Sequence, residues 1–152
     1  MKGLQYYLWR AKPEENLAYL ALRIFVGVAM FTHGYGKITG GPEAWERLGG
    51  VMGSIGIPGP AVFWGFMAAF AESIGAIMLA IGLLTPVAAF LIAFTMLIAA
   101  FVGHASDPFF LANATEPGRA KELALLFFFA CTLFMFKGAG SYAVDRFLPQ
   151  RK

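Results

Sequence analysis

The stretch AVFWGFMAAFAESIGAIMLAIGLL, residues 61–84, decides the fold. Its single ionisable side chain, Glu72, stands at its middle. At about 1.5 Å per residue, a helix of this length covers about 36 Å, enough to cross a bilayer. An unpaired charge at the centre of a bilayer costs at least about 2.5–3.5 kcal/mol. Glu72 must therefore be protonated, paired or turned toward a polar cavity. Gly65, Ala68, Ala69, Gly75, Ala76 and Ala80 fall near its face at helical spacing. Small residues on one stripe let helices approach closely, so Glu72 is expected to face other helices and not lipid.

Composition agrees with a membrane assignment. The chain has 152 residues, of which 59% are hydrophobic and 14% charged, and its mean hydropathy is +0.65. These values lie far from those of a soluble globular domain. The length suits a single integral membrane domain, residues 1–152, with four spans and short connections. The net charge is +3, with lysine and arginine gathered near the ends, a pattern of membrane topology and not of nucleic-acid binding. One cysteine, Cys131, excludes an intramolecular disulfide, a CxxC redox pair and a cysteine-rich metal site. No phosphate-binding loop, nucleophile elbow or HExxH motif occurs.

The spacing places spans at about 17–37, 61–84, 87–104 and 118–137, an all-α, polytopic four-helix membrane bundle. The first apolar run has no small-x-small cleavage site and reads as a span, not a removed signal peptide. Tyr6, Tyr7 and Trp9 suit an interfacial belt before it. In the long first connection, Pro42 suits a helix start, and Trp45, Leu48 and Met52 recur at helical spacing opposite Glu43, Glu46 and Arg47. This predicts a short amphipathic helix on the membrane surface, broken by Gly56-Ile57-Pro58-Gly59-Pro60. Thr115 and Pro117 suit the start of the fourth span. Lys2, Arg10, Lys12, Lys137, Arg146, Arg151 and Lys152 fall on one side, against Lys37, Arg47, Arg119 and Lys121 on the other. That bias predicts a multi-pass protein of the cytoplasmic membrane with both termini in the cytoplasm.

Two polar layers follow from depth. Arg23 lies ten residues before His33, about 15 Å deeper, so an ion pair between Arg23 and Glu72 is expected at mid-depth. His33, His104 and Glu122 end or open three different spans near the outer boundary, with Lys37 one turn beyond His33. Histidines and carboxylates from different helices build metal, haem and proton-transfer sites in bundles. Near the interface the same groups also suit a solvated role, and Lys37 and Lys121 suit snorkelling to headgroups.

Several short motifs occur in order: Leu22-Arg23, His33-Gly34 with Lys37, Gly56-Ile57-Pro58, Glu72 among small residues, and Gly82-Leu83-Leu84-Thr85. They continue with His104 before Phe109-Phe110, Glu122-Leu123-Ala124-Leu125-Leu126, and Gly138-Ala139-Gly140-Ser141 with Asp145. In these the chain resembles the DoxX family of small bacterial and archaeal four-span membrane proteins, over about residues 17–148. The resemblance implies redox chemistry at the cytoplasmic membrane, linked to quinone, as in the membrane subunit of a thiosulfate:quinone oxidoreductase, with a soluble partner subunit.

Three functional expectations result. In the first, a quinone enters between spans beside His33, His104 and Glu122, which exchange protons with it, while Arg23, Glu72 and Lys37 hold the pocket. In the second, His33, His104 and Glu122 bind a metal or haem. In the third, the chain is a non-enzymatic scaffold or small-molecule carrier for a redox partner. The bilayer is the expected environment in all three, nucleic acid is not a partner, and a homo-oligomer is compatible with each.

Overall fold

The computed structural model describes residues 13–114 and 120–147, and every regular element among them is helical. Helix α1 is Pro13–Thr39 and α2 is Gly41–Ser54. Helix α3 runs Ala61–Ile81 and α4 runs Thr85–Gly103. Helix α5 is Glu122–Lys137. Single 3-10 turns stand at Leu111–Asn113 and Val144–Phe147. The aromatic belt of Tyr6, Tyr7 and Trp9 and the helix start at Thr115 and Pro117 lie outside the described residues, as do Lys2, Arg10, Lys12, Arg119, Arg151 and Lys152.

Among the described residues, three segments are long and apolar enough to cross a membrane: Asn16–Thr39, Ala61–Ile81 and Thr85–Gly103. Four spans were expected. Helix α5 has 16 residues, about 24 Å, less than a hydrocarbon core of about 30 Å. It packs beside α4 and carries Ala124, Phe127, Cys131 and Phe134 into a core shared with Tyr19, Val26 and Met30 of α1, Leu79 of α3 and Ile92 of α4.

Helices α1 and α3 run antiparallel along a seam of small residues. A Cβ on Gly34 would stand 2.3 Å from the backbone carbonyl of Glu72, and one on Gly27 would stand 2.7 Å from the carbonyl oxygen of Ala76 and the Cβ of Ala80. Only glycine lets these backbones meet, and the contacts fix their register.

That register overturns the expected pair of Arg23 with Glu72. Glu72 lies opposite Gly34. Arg23 is 11 residues earlier on α1, about 16 Å away along the axis. Its guanidinium donates instead to the backbone carbonyls of Ala80, Ala139 and Tyr142. Arg23 and Glu72 are both well inside their spans, yet α1 meets α3 in a register that puts Gly34 and not Arg23 opposite Glu72.

The Arg23 end is closed by the chain's tail. Gly82 leaves α3 with φ +74°, and Leu84 has φ +47°, a conformation that costs about 1 kcal/mol or more for a residue with a Cβ. Asp145 stabilises this turn. Its carboxylate accepts the N–H groups of Leu84 at 2.6 Å and Thr85 at 2.9 Å, and its own N–H donates to the Gly82 carbonyl. A negative charge here also suits the N-terminus of α4. Tyr19 donates to the Gly138 carbonyl at 2.7 Å, and the Ser141 hydroxyl donates to Asn16 at 3.1 Å. The start of α1, the α3–α4 turn and the tail after α5 thus share one face.

The helix expected in the first long connection is present as α2, but it does not lie apart on a surface. It folds back along the first half of α3. The backbones nearly touch: a Cβ on Gly49 would meet the Ala61 carbonyl oxygen at 1.8 Å, and one on Gly65 the Trp45 carbonyl oxygen at 1.8 Å. Glu43, Glu46 and Arg47 remain exposed, while Gly49 and Met52 are buried.

Arg23→Leu removes the donor that three carbonyls share, and a loss of about 2–3 kcal/mol of stability is expected. It should lower the thermal midpoint in detergent and speed proteolysis after Lys137. An unchanged midpoint and cleavage rate would show that the tail is held by other contacts.

Candidate functional site

The charged centre of the molecule is the pair of Lys37 and Glu72. The Lys37 ammonium donates to Glu72 Oε1 at 2.7 Å and Oε2 at 2.5 Å. The Glu72 side chain is 2% exposed and that of Lys37 is 36% exposed. The carboxylate is therefore buried, while the ammonium reaches it from a more open position. Lys37 sits in the last turn of α1, and Trp45 of α2 donates its indole N–H to the Lys37 carbonyl at 2.8 Å. An ammonium has three N–H donors. Two are used on Glu72, leaving one for a ligand.

Both helices beside this pair carry a π-helical turn. In α3 it is Ala71–Gly75 and contains Glu72; in α4 it is Ala99–Gly103 and immediately precedes His104. Such turns insert one extra residue, break the local packing period and occur often at functional sites. Ser73 contributes to the first by donating its hydroxyl back to the Ala69 carbonyl at 2.6 Å, a bond that competes with regular helix geometry.

Between α2, α3 and α4 lies a cleft of about 480 Å³, within the usual range for small-molecule sites. Leu48, Met52, Met67, Ala68 and Ile98 give it apolar walls, while Lys37, Glu72, Thr95 and His104 supply its polar side chains. Phe63, Phe90 and Phe94 also line it and are exposed on the outer surface of their helices, so the cleft opens sideways onto the apolar face. An amphipathic molecule with a compact polar head could enter there without passing through water.

His104 begins the connection from α4 to α5. Its Nδ1 lies 2.7 Å from Oδ2 of Asp107. Lys121 is buried and holds this connection by donating its ammonium to the carbonyls of Ala105 at 2.9 Å and Asp107 at 2.7 Å. It does not snorkel outward. Glu122 accepts the backbone N–H of Leu111 at 2.9 Å.

The structure therefore regroups the residues singled out in the sequence. Glu72, Lys37 and His104 line one cleft. His33 is exposed and stands edge-on to Phe127 at 6.0 Å. Glu122 anchors a loop, and Arg23 binds the tail. His33, His104 and Glu122 do not converge, and among the described residues no three His, Cys, Asp or Glu side chains form a group able to hold a metal ion. Asp107 was not singled out in the sequence. The three-residue spacing from His104 was the available signal, and it gained meaning only once the chain turned there.

The long apolar helices define a multi-pass helical membrane protein. The DoxX family model matches residues 18–105, more than half of the chain, and the chain belongs to the DoxX family. The matched segment contains Lys37, Glu72 and His104. The chain is also similar to an uncharacterized protein of Haemophilus influenzae, 34% identical over 125 residues, which are 82% of this chain and 85% of that protein. No solved structure gives a significant match.

Removing one partner of a buried ion pair leaves the other uncompensated, at about 3–5 kcal/mol, whereas replacing both with apolar residues is often neutral. Lys37→Met is therefore expected to destabilise the protein strongly, and adding Glu72→Leu should restore most of the thermal midpoint. Additive losses in the double variant would show that the pair is not the source of the effect.

Proposed function

We propose that this DoxX-family protein is a quinone-linked redox protein of the cytoplasmic membrane, with the cleft between α2, α3 and α4 as its quinone site. The observation that carries the reading is an apolar cleft lined by an ion pair whose carboxylate is buried and whose ammonium is partly open. The group that binds there would supply two-electron, two-proton chemistry. An isoprenoid tail would remain against the exposed rings of Phe63, Phe90 and Phe94 while the ring reached Lys37.

The roles follow from the side chains. The remaining N–H of Lys37 donates to an oxygen of the ring, and Glu72 keeps the ammonium aimed by occupying its other donors. His104 stands where the cleft meets the α4–α5 connection, and its imidazole can act as a proton donor or acceptor toward the ring. His33 and Glu122 drop out of this reading and Arg23 becomes structural. A soluble subunit would carry electrons to or from the membrane chain.

The shared face of the start of α1, the α3–α4 turn and the tail is assigned to the cytoplasm. Support comes from the excess of lysine and arginine at the chain ends.

Two measurements test these statements. A short-chain benzoquinone should bind the detergent-purified protein with saturable affinity, and Ala68→Trp, which fills the cleft, should weaken binding about tenfold or more. Binding unaffected by that substitution would remove the cleft from consideration. For orientation, a reporter fused after Lys152 should be active in the cytoplasm, and one inserted near Gly53 should be active outside. The reverse pattern would invert the assignment.

A further inference from the structure

Lys37 and His104 both line the cleft, and their hydrogen-bonding groups differ in what they can tell apart. Lys37 is a donor. A donor binds the oxygen of a carbonyl or of a hydroxyl, so it does not separate a quinone from its quinol. His104 differs because Asp107 determines which ring nitrogen bears the proton. A carboxylate is an acceptor, and the 2.7 Å approach of Asp107 Oδ2 to His104 Nδ1 requires the imidazole proton to be on Nδ1. In the neutral ring Nε2 is then a bare acceptor. The His104 side chain is 37% exposed and that of Asp107 is 10% exposed, so the carboxylate is the enclosed partner and the imidazole is the accessible one. The loop that carries them is fixed from beneath by Lys121, which binds the carbonyls of Ala105 and Asp107.

We propose that Asp107 is a positioning residue that gives the cleft a preference for the reduced, hydroxyl-bearing form of its ligand, by holding His104 as the tautomer whose Nε2 can only accept. The inference rests on the reading of the cleft as a quinone site. A quinol hydroxyl donates to that lone pair. A quinone carbonyl offers a second lone pair and is disfavoured. Among the described residues, three further charged groups near the cleft have partners of their own. Glu72 is occupied by Lys37, Lys121 points at backbone carbonyls and Glu122 accepts a backbone N–H.

The test compares the affinities of one decyl-tailed benzoquinone and its quinol, measured anaerobically by equilibrium binding to the detergent-purified full chain. The wild-type protein should favour the quinol by about tenfold, the scale of one hydrogen bond made or denied. Asp107→Ala frees the tautomer and should collapse the preference toward unity, whereas Asp107→Glu should retain it. His104→Lys puts a donor where the acceptor stood and should abolish or reverse the preference. Because the readout is a ratio, a fraction of misfolded protein lowers both affinities and leaves the ratio intact. Equal affinities in the wild type, or a full preference surviving in Asp107→Ala while both affinities fall together, would overturn the proposal without touching the quinone reading. Failure of both forms to bind the wild type would overturn that reading and this proposal with it.

Discussion

The close approach of α1 to α3 is the constraint on which the rest of the structure depends. Gly27 and Gly34 let the α1 backbone touch the α3 backbone at Ala76 and Glu72, and no side chain could be added at either place without parting the helices. Without a hydrophobic driving force between helices in lipid, such van der Waals contact is a principal source of association. It also sets register. Sliding α1 by one turn would take Lys37 away from Glu72 and Arg23 away from the carbonyls of Ala80, Ala139 and Tyr142. Two charged side chains about four turns apart on one helix are thus satisfied together or lost together.

The two ends of the molecule are built differently. At the Arg23 end, a guanidinium and the Asp145 carboxylate bind mostly backbone, and they join the α3–α4 turn to the tail. A guanidinium has five donors in a fixed fork, well suited to collecting carbonyls from separate segments. Toward the other end, charge binds charge. Lys37 meets Glu72 beside a cleft, and the helices there carry π-helical turns where regular packing is interrupted. One end closes the fold, and the other leaves room for a ligand. Buried ion pairs contribute little net stability, since desolvation offsets attraction. The pair lines that cleft, and in the proposed reading its task is to orient the bound ring.

Helix α2 belongs with the second end. Its sequence has the charged and apolar faces of an interfacial helix, yet Gly49 and Gly65 admit it to close contact with α3. The result is a wall of the cleft and a hydrogen bond from Trp45 to the carbonyl of the residue that holds Glu72. The amphipathic pattern was legible, but the surface it would face was not. A pattern gives the direction of the apolar face and says nothing about which neighbour covers it.

The sequence by itself determined the helical class, three of the four spans expected from it, the membrane setting, the family, and the fact that Glu72 needed a partner. Each depends on local properties: length, hydropathy, helical spacing and the cost of a charge in lipid. Tertiary structure decided which partner Glu72 has, because that depends on the register between two helices. A slip of about four turns moves a side chain about 21 Å, and such a slip separates the expected Arg23 partner from the observed Lys37. It also decided that His104 joins the cleft while His33 meets Phe127 and Glu122 anchors a loop. All three lie near helix ends and are equivalent by depth. Their rotation about the helix axes and the course of the chain after α4 separate them, and neither is written in any short stretch of the chain.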